Sequence, residues 1–529
     1  MTSTPAYRRS GQTVAIIGGG IAGLASAALL AAHGHQVDLH EKNGELGGRV
    51  GSLSDGGYRF DTGPSWYLMP EVFEHFYQLL GTSVAEHLDL VALDPSYRVF
   101  FEGHDDALDV TASRAHNIAL FERLEPGAGA ALERYLDSAQ HAYDLALRRF
   151  LYSNFDNVGA LANRDVLRSG ARMGRLLATS LRDHVAARFT DNRLRQVLGY
   201  PAVFLGSAPE RTPSLYHLMS HLDLAGAVWY PQGGFTTLID SLATVARSHG
   251  ARLHTESQVT RILTTPGRRP RVSGVTVRQR GTVHTVNAEI VVGAADLHHI
   301  ETALLPAPLR THPERTWRRR TPGPGAVLAL LGVRGELPQL PHHSLFFTTD
   351  WDRNFADIFG HPSRVPDPAS IYVCKPSATD ASVAPPGCEN LFVLIPVPAD
   401  ARIGAGGADG HGDVRVEQAA DAAIAQISAW AGVPDLASRI EVRHTLGPKD
   451  FAQRVNAWQG GALGLEHTLR QSAFLRPRNT SATVDGLFYA GSSTTPGVGL
   501  PMCLISAQLL AKRIAGDRSN GPLPVPRGG

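Results

Sequence analysis

A mixed α/β fold (α+β overall) with a discontinuous nucleotide-binding domain is predicted by three stretches of the 529-residue chain. A short β-branched run, a glycine-rich turn and an alanine-rich run follow one another directly over residues 14–33. A second glycine pair, followed by arginine, stands at Gly47-Gly48-Arg49. A further apolar run, glycine-rich loop and helical run occupy residues 486–511. Strand, glycine turn and helix form the repeating unit of a parallel sheet with helical crossovers. Two such units at opposite ends of the chain must meet if they serve one ligand.

Val14 to Ile17 reads as a strand buried on both faces. Gly18-Gly19-Gly20-Ile21-Ala22-Gly23 follows at once and fits G-x-G-x-x-G. Gly18 allows a tight turn, Gly20 lets the backbone approach a pyrophosphate, and Gly23 lets helix pack on strand. The helix is predicted to run to about His33, with Gly34 as its stop. Gln36 to His40 alternates as a second strand and ends at Glu41, placed to accept hydrogen bonds from a ribose hydroxyl. The unit is Rossmann-like and predicts a dinucleotide. A glutamate at the ribose argues against a 2′-phosphate, so NADP is disfavoured. Gly47-Gly48-Arg49 adds a second close backbone approach and a fixed cation for the same pyrophosphate, and Gly57 to Pro64 continues the pattern.

Composition bounds the alternatives. With 50 Lys+Arg against 49 Asp+Glu the net charge is +1, so the whole chain carries no steering field for nucleic acid. Hydrophobic residues at 43% and charged residues at 19% suit a large core and exclude a disordered chain. The three cysteines, Cys374, Cys388 and Cys503, form no C-x-x-C and no metal-spaced group, so neither a disulfide framework nor a metal site is expected, and a reducing cytosol is the simplest setting. Val14 to Ala32 carries no charge and mimics a membrane span, but its glycines break it into strand and helix. Any membrane association is therefore expected to be peripheral.

The Glu41 to Gly47-Gly48-Arg49 spacing with Gly63-Pro64 resembles the flavin-containing amine oxidase/phytoene desaturase superfamily. Four further stretches make the chain similar to the bacterial-type carotenoid (phytoene) desaturases over about residues 14–515. They are Trp229-Tyr230-Pro231-Gln232-Gly233-Gly234-Phe235, the Ile290 to Asp296 strand-to-loop return with His298, Leu465-Glu466-His467-Thr468 with Gln471 to Pro477, and Leu487 to Pro501. The resemblance implies FAD as cofactor. Its expected contacts are Gly18, Gly20, Gly23, Glu41, Lys42, Gly47, Gly48, Arg49, Gly63, Val259 (near the adenine), Gly491, Gly499, Pro501 and Met502. It also implies a long isoprenoid or carotenoid substrate.

Independently of the resemblance, Leu487 to Ala490 reads as a buried strand, and the helix from Val498 to Arg513 can point its N-terminus at the flavin. The cofactor domain is expected to comprise residues 12–95, 236–310 and 481–518, with Arg252 to Leu263, Arg271 to Arg278 and His284 to Val292 as strands. A substrate and membrane-associating domain would comprise 96–235 and 311–480, with apolar strands at Ala326 to Val333 and Asn390 to Pro396. Residues 1–11 and 519–529 are expected to be flexible tails. Gly404-Ala405-Gly406 lacks the context of a second fingerprint. With no NAD(P) domain visible, a quinone or oxygen is the expected electron acceptor.

Asn163 to Phe189 forms a basic amphipathic stretch. Arg164, Arg168, Arg172, Arg175 and Arg182 fall on one side, and Val166, Met173, Leu177, Leu181 and Val185 on another. It suits either a solvated helix face or a membrane-surface helix beside a lipid tunnel, on the cytoplasmic side of a membrane. The cluster Arg315, Trp317, Arg318, Arg319 and Arg320 is too short to indicate nucleic acid in a neutral chain.

Turning an unactivated CH–CH unit into C=C requires loss of a hydride and a proton. Flavin takes the hydride, and an apolar tunnel holds the polyene and excludes water. Arg164-Asp165-Val166-Leu167-Arg168 resembles the family's R-D-x-x-R segment, which makes Asp165, with Arg164 and Arg168, the catalytic candidates. The alternative is a helix-surface ion pair. Glu466 and His467 are further ionisable candidates. The leading expectation is phytoene desaturation toward neurosporene or lycopene. Other carotenoid-modifying flavoenzymes (isomerase, ketolase, diapophytoene desaturase), a flavin amine oxidase and a non-catalytic prenyl-lipid escort remain alternatives. The Ser/Thr/Pro/Gly-rich loop after Gly491 lacks the aromatic pair of an amine site, and an escort has no need of a complete pyrophosphate cradle.

Overall fold

The computed structural model of the protein describes residues 11–155 and 174–526. Its first layer is a five-stranded parallel sheet in the spatial order Leu487–Tyr489, Ile290–Gly293, Thr13–Ile17, Gln36–His40, Arg252–His254. The Thr13–Ile17 strand is central, with Val14 opposite Val37 and Ile290, and Ile16 opposite Leu39 and Val292. Its alternate side chains enter two different cores. Val14 and Ile16 pack on the helix side, and Ala15 and Ile17 pack with Val259, Val291 and Leu487 on the other. A central parallel strand is apolar throughout because both faces are covered.

The Ile21–Ala32 helix explains the uncharged run. It lies against both the Leu500–Ala515 and the Thr236–Ser248 helices, and every residue from Ile21 to Ala31 is buried. No face is left for a charge. Among the described residues, no helix is long and apolar enough to cross a membrane.

Two predicted strands are each divided in two. Arg252–His254 joins the parallel sheet, while Ser257–Thr265 turns away at Glu256 (φ 51°) into a three-stranded antiparallel sheet with Arg271–Gln279 and Thr282–Asn287. The expected strand from His284 to Val292 likewise becomes Thr282–Asn287, largely exposed, and Ile290–Gly293, fully buried in the parallel sheet. A continuous strand cannot serve two sheets of different direction, and period-2 alternation alone does not reveal the switch.

The second layer is a seven-stranded sheet, ordered Ile440–Leu446, Gly325–Arg334, Cys388–Val397, Ile371–Cys374, His343–Phe347, Tyr97–Phe101, Leu108–Val110. All pairs are antiparallel except His343–Phe347 with Tyr97–Phe101. In the central pair, Val327, Ala329, Leu331, Val393 and Ile395 face the Val414–Trp430 helix and its core. The alternate residues Ala326, Leu328, Phe392 and Leu394 point the opposite way, into the main cavity. Residues 156–173, which carry Arg164, Asp165, Arg168 and Arg172, lie outside the described residues. The described remainder of the basic stretch is not one helix. Ser180 breaks it, pairs with Pro213 and caps the short Leu181–Ala186 helix.

Candidate functional site

One cavity of about 510 Å³ runs from the C-terminal ends of the parallel strands to the inner face of the seven-stranded sheet. Ligands of α/β sheets bind at that end of the strands. Gly18, Gly20, Glu41, Lys42, Gly47, Gly48, Arg49, Gly63, Val259, Gly491, Gly499, Pro501 and Met502 all line it, brought together from both ends of the chain. Gly23 does not. A Cβ there would lie 2.0 Å from the carbonyl oxygen of Gly18, so it sits where helix meets strand.

The cradle is assembled from backbone. Gly20 precedes the helix N-terminus and pairs in parallel with Gly47, and a Cβ on it would lie 3.7 Å from Gly47 O and 3.9 Å from Gly48 Cα. Gly47 (φ 118°) donates its N–H to Gly19 at 2.8 Å. A Cβ on Gly47 would lie 2.1 Å from Val50 O, so only glycine passes there. The helix N-terminus leaves N–H groups and the positive end of its dipole for an anion. Arg49 stands opposite. Its Nη2 is 3.7 Å from Asp296 Oδ2, and its buried Nε has no hydrogen-bond partner. An orphaned guanidinium nitrogen beside free helical N–H groups fits a pyrophosphate.

Glu41 is buried, and its carboxylate accepts from Gly19 N–H (2.8 Å), Asn43 N–H (2.9 Å) and Asn43 Nδ2 (2.8 Å). The group is thereby fixed at the end of the second strand, with about one lone-pair site left for a hydroxyl. Lys42 offers the cavity only its stem, because its Nζ donates to Gln453 O (2.6 Å) and Asn456 Oδ1 (3.2 Å).

Asp296, which sequence reasoning quoted only as part of a strand return, has a clear task. Its Oδ1 caps the Leu297–Ala303 helix through His298 and His299 N–H, while Oδ2 faces Arg49 and Trp458 N–H. Arg476 was quoted only within the Gln471 to Pro477 stretch, with no role of its own. It is 2% exposed and donates to the carbonyls of Thr494 (3.0 Å), Gln471 (3.0 Å), Leu465 (3.2 Å) and Ser492. Burial lowers it to about 10, still cationic at neutral pH. It ties the 465–477 segment to the glycine-rich loop at 491–499.

The far arm of the cavity is apolar and aromatic: Trp66, Tyr200, Phe204, Phe347, Trp351, Phe355 and Tyr372, with Leu328, Leu394 and Ile371. Trp66 stacks on His343 with centroids 4.9 Å apart and meets Tyr97, Tyr200 and Phe204. These residues are scattered in sequence and carried no local signal. The Trp229 to Phe235 segment does not line the cavity. It pairs with Leu90–Ala92 and hydrogen-bonds Asp61 and Asp380, which positions the Thr236–Ser248 helix.

Strand pairing also assembles a group that spacing hid. His343 lies opposite Cys374, and donor atoms of His342, His343 and Cys374 fall within 4.8 Å of one another. Both rings are held through Nδ1, by Thr379 at 2.7 Å and Tyr372 at 2.9 Å. Cys374 is buried, which pushes its thiol up to about 12, and Cys388 and Cys503 are half-buried.

The geometry is shared with known proteins. Residues 21–515 match the family model of flavin containing amine oxidoreductases. The chain is 42% identical over 510 residues to a carotenoid 3,4-desaturase of Haloarcula japonica, covering 96% of this chain and 99% of the relative. It is 35% identical to a zeta-carotene-forming phytoene desaturase of Myxococcus xanthus, covering 95% and 94%. Among solved structures, an oxidoreductase from Methanosarcina mazei aligns with a TM-score of 0.62 at 16% identity, over 94% of this chain and all of that one. A putrescine oxidase bound to putrescine aligns with a TM-score of 0.59 at 16% identity, over 96% and 98%. These two show the shared fold. The chain therefore belongs to the flavin-containing amine oxidoreductases, within the group of the bacterial-type carotenoid desaturases, and is an FAD-dependent oxidoreductase.

Proposed function

We propose that the protein desaturates an acyclic carotenoid, removing a hydride and a proton from a CH–CH unit held in the aromatic arm of the cavity. The observation that carries this is continuity: a pyrophosphate cradle and a long arm walled by Trp66, Tyr200, Phe204, Phe347 and Phe355 form one space. FAD, when bound, supplies the hydride acceptor. The Gly18–Gly20 turn and Arg49 would hold its pyrophosphate, Glu41 its ribose, and Val259 would stand on the adenine side. Gly63, Gly491, Gly499, Pro501 and Met502 form the flavin end. The apolar arm orients the polyene and keeps water from the reacting carbons.

Phytoene, with successive steps toward neurosporene or lycopene, is the first substrate to test. The 42% identity to a carotenoid 3,4-desaturase favours a second reading, oxidation at that position of a more unsaturated chain. Expression in hosts that accumulate phytoene or lycopene distinguishes them, because each added double bond shifts absorption to longer wavelength. Unchanged pigments in both hosts, with FAD bound, would refute the reading.

A quinone or oxygen reoxidises the flavin in this scheme, and the protein meets its substrate at a membrane surface. Leu469, Phe474 and Leu475 support the latter. They are 49%, 67% and 47% exposed on one segment, and Phe474 meets Phe155 edge-on with ring centroids 6.4 Å apart. An exposed apolar patch with the exposed Arg470 and Arg478 beside it in sequence suits an interfacial anchor.

A further inference from the structure

We propose that a second, basic cleft beside the Ala128–Arg149 helix binds a phosphate group. The cleft has a volume of about 500 Å³ and is lined by Arg134, Arg175, Arg188, His184, Tyr135 and Ser138, with small and apolar residues between them. None of its described lining residues carries a carboxylate. It shares no lining residue with the flavin cavity, and the carotenoid reading does not depend on it.

The floor is built by one helix face. Ala131, Tyr135 and Ser138 fall at i, i+4 and i+7 of the Ala128–Arg149 helix. Tyr135 is buried, and its ring lies 5.4 Å from that of His217 and 5.7 Å from that of His184, with the two imidazoles 5.1 Å apart. His217 is fixed in turn, its Nε2 2.8 Å from Ser138 Oγ and its Nδ1 2.9 Å from the carbonyl of Ser214. Arg188 Nη1 donates to the carbonyl of His184 at 2.5 Å, which holds that guanidinium at the cleft. Arg134, Arg175 and Arg188 are exposed and reach one space from separate parts of the chain.

That space lacks a counter-charge. Among the described residues none of the three arginines pairs with a carboxylate. Asp137 and Asp183, beside lining residues in sequence, pair instead with Arg114 at 2.5 Å and Arg182 at 3.6 Å. Partial burial and the like charge of Arg175 lower the Arg188 guanidinium from its ordinary value. Cations gathered in this way repel one another, and an anion between them replaces repulsion by attraction. Guanidinium forks match the oxygens of phosphate two at a time. The volume is that of a small-molecule site, so it admits a phosphate together with the group that carries it. A phospholipid headgroup and a soluble phosphate or diphosphate share this chemistry. Tyr143 and Ala146 of the same helix line the flavin cavity, so the two spaces have a common wall, with Ser138 and Tyr143 roughly 7–8 Å apart along the helix axis.

The test uses the FAD-loaded protein, with its flavin site filled, in phosphate-free buffer. One arm titrates pyrophosphate by calorimetry. The other measures co-sedimentation with phosphatidylcholine vesicles with and without phosphatidic acid. Wild type should bind in at least one arm. Arg134→Gln/Arg175→Gln should weaken that binding by tenfold or more, the effect of losing charge-assisted hydrogen bonds. Arg318→Gln/Arg319→Gln removes the same charge from an exposed pair outside the cleft and should leave binding unchanged. Flavin absorbance and urea midpoints should match wild type in both. Binding to phosphatidic acid vesicles that free pyrophosphate displaces identifies a headgroup as the source; pyrophosphate binding with no preference among vesicles identifies a soluble anion. Absence of binding in both arms would overturn the proposal, as would equal losses in the two double variants or no loss in the first.

Discussion

Replacing Arg49 by alanine isolates the charge that the cradle lacks without a ligand. Among the described residues its ionic neighbour is Asp296 at 3.7 Å, with the two side chains 26% and 5% exposed. A long, partly exposed pair of this kind contributes about 1 kcal/mol or less. Asp296 keeps its cap on His298 and His299 without Arg49, so the FAD-free protein should lose at most that amount of unfolding free energy. Toward a pyrophosphate the same guanidinium makes charge-assisted hydrogen bonds worth about 1.5–3 kcal/mol. At ~1.4 kcal/mol per tenfold, that is a loss of roughly 10- to 150-fold in FAD affinity. Arg49→Lys, a point charge without the planar fork, should fall between. Titration of FAD-free protein by flavin fluorescence, beside urea unfolding of the same samples, separates the two effects. An Arg49→Ala protein that binds FAD as tightly as wild type would refute the assignment of this residue to the phosphates.

Three further outcomes are expected. Gly23→Ala places a Cβ 2.0 Å from a backbone oxygen, so helix and strand must part; flavin content after purification should collapse, with unfolding free energy down by about 3 kcal/mol or more in urea titrations. Asp223 is fully buried against Tyr97 (3.0 Å), and burial pushes its carboxyl up to about 7. The folded state therefore keeps a proton that the unfolded chain has released, so stability should fall as pH rises from about 4 to about 7, by about 4 kcal/mol from this group. Asp223→Asn should flatten that slope in denaturation curves taken across the range. Exchanging Phe474 and Leu475 for serine should lower co-sedimentation with liposomes more than tenfold, since each buried side chain is worth roughly 1.5–3 kcal/mol; equal sedimentation would exclude this patch as the anchor.

The strand–glycine–helix unit was legible because its constraints are local. Val14 to Ile17 must be apolar when both faces are covered, Gly23 must lack a side chain where helix meets strand, and Glu41 must end the neighbouring strand, all within a few dozen residues. The strands Gly325–Arg334 and Cys388–Val397 declared themselves for the same reason, although their alternate residues serve two different cores. The division of Arg252 to Leu263 at Glu256 was not legible, because the choice of sheet is made by partners far away in the chain.

What the sequence by itself determined is the strand–glycine–helix unit and the family, since contiguous motifs encode backbone shape. What only the tertiary structure decided is the far arm. Trp66, Tyr200, Phe347 and Phe355 line one wall only because three separate stretches of chain converge. His467 has its Nδ1 engaged by the carbonyl of Leu205, over two hundred and fifty residues earlier in the chain. Side-chain identity specifies what a group can do. Which lone pair is left to do it depends on neighbours that folding alone supplies.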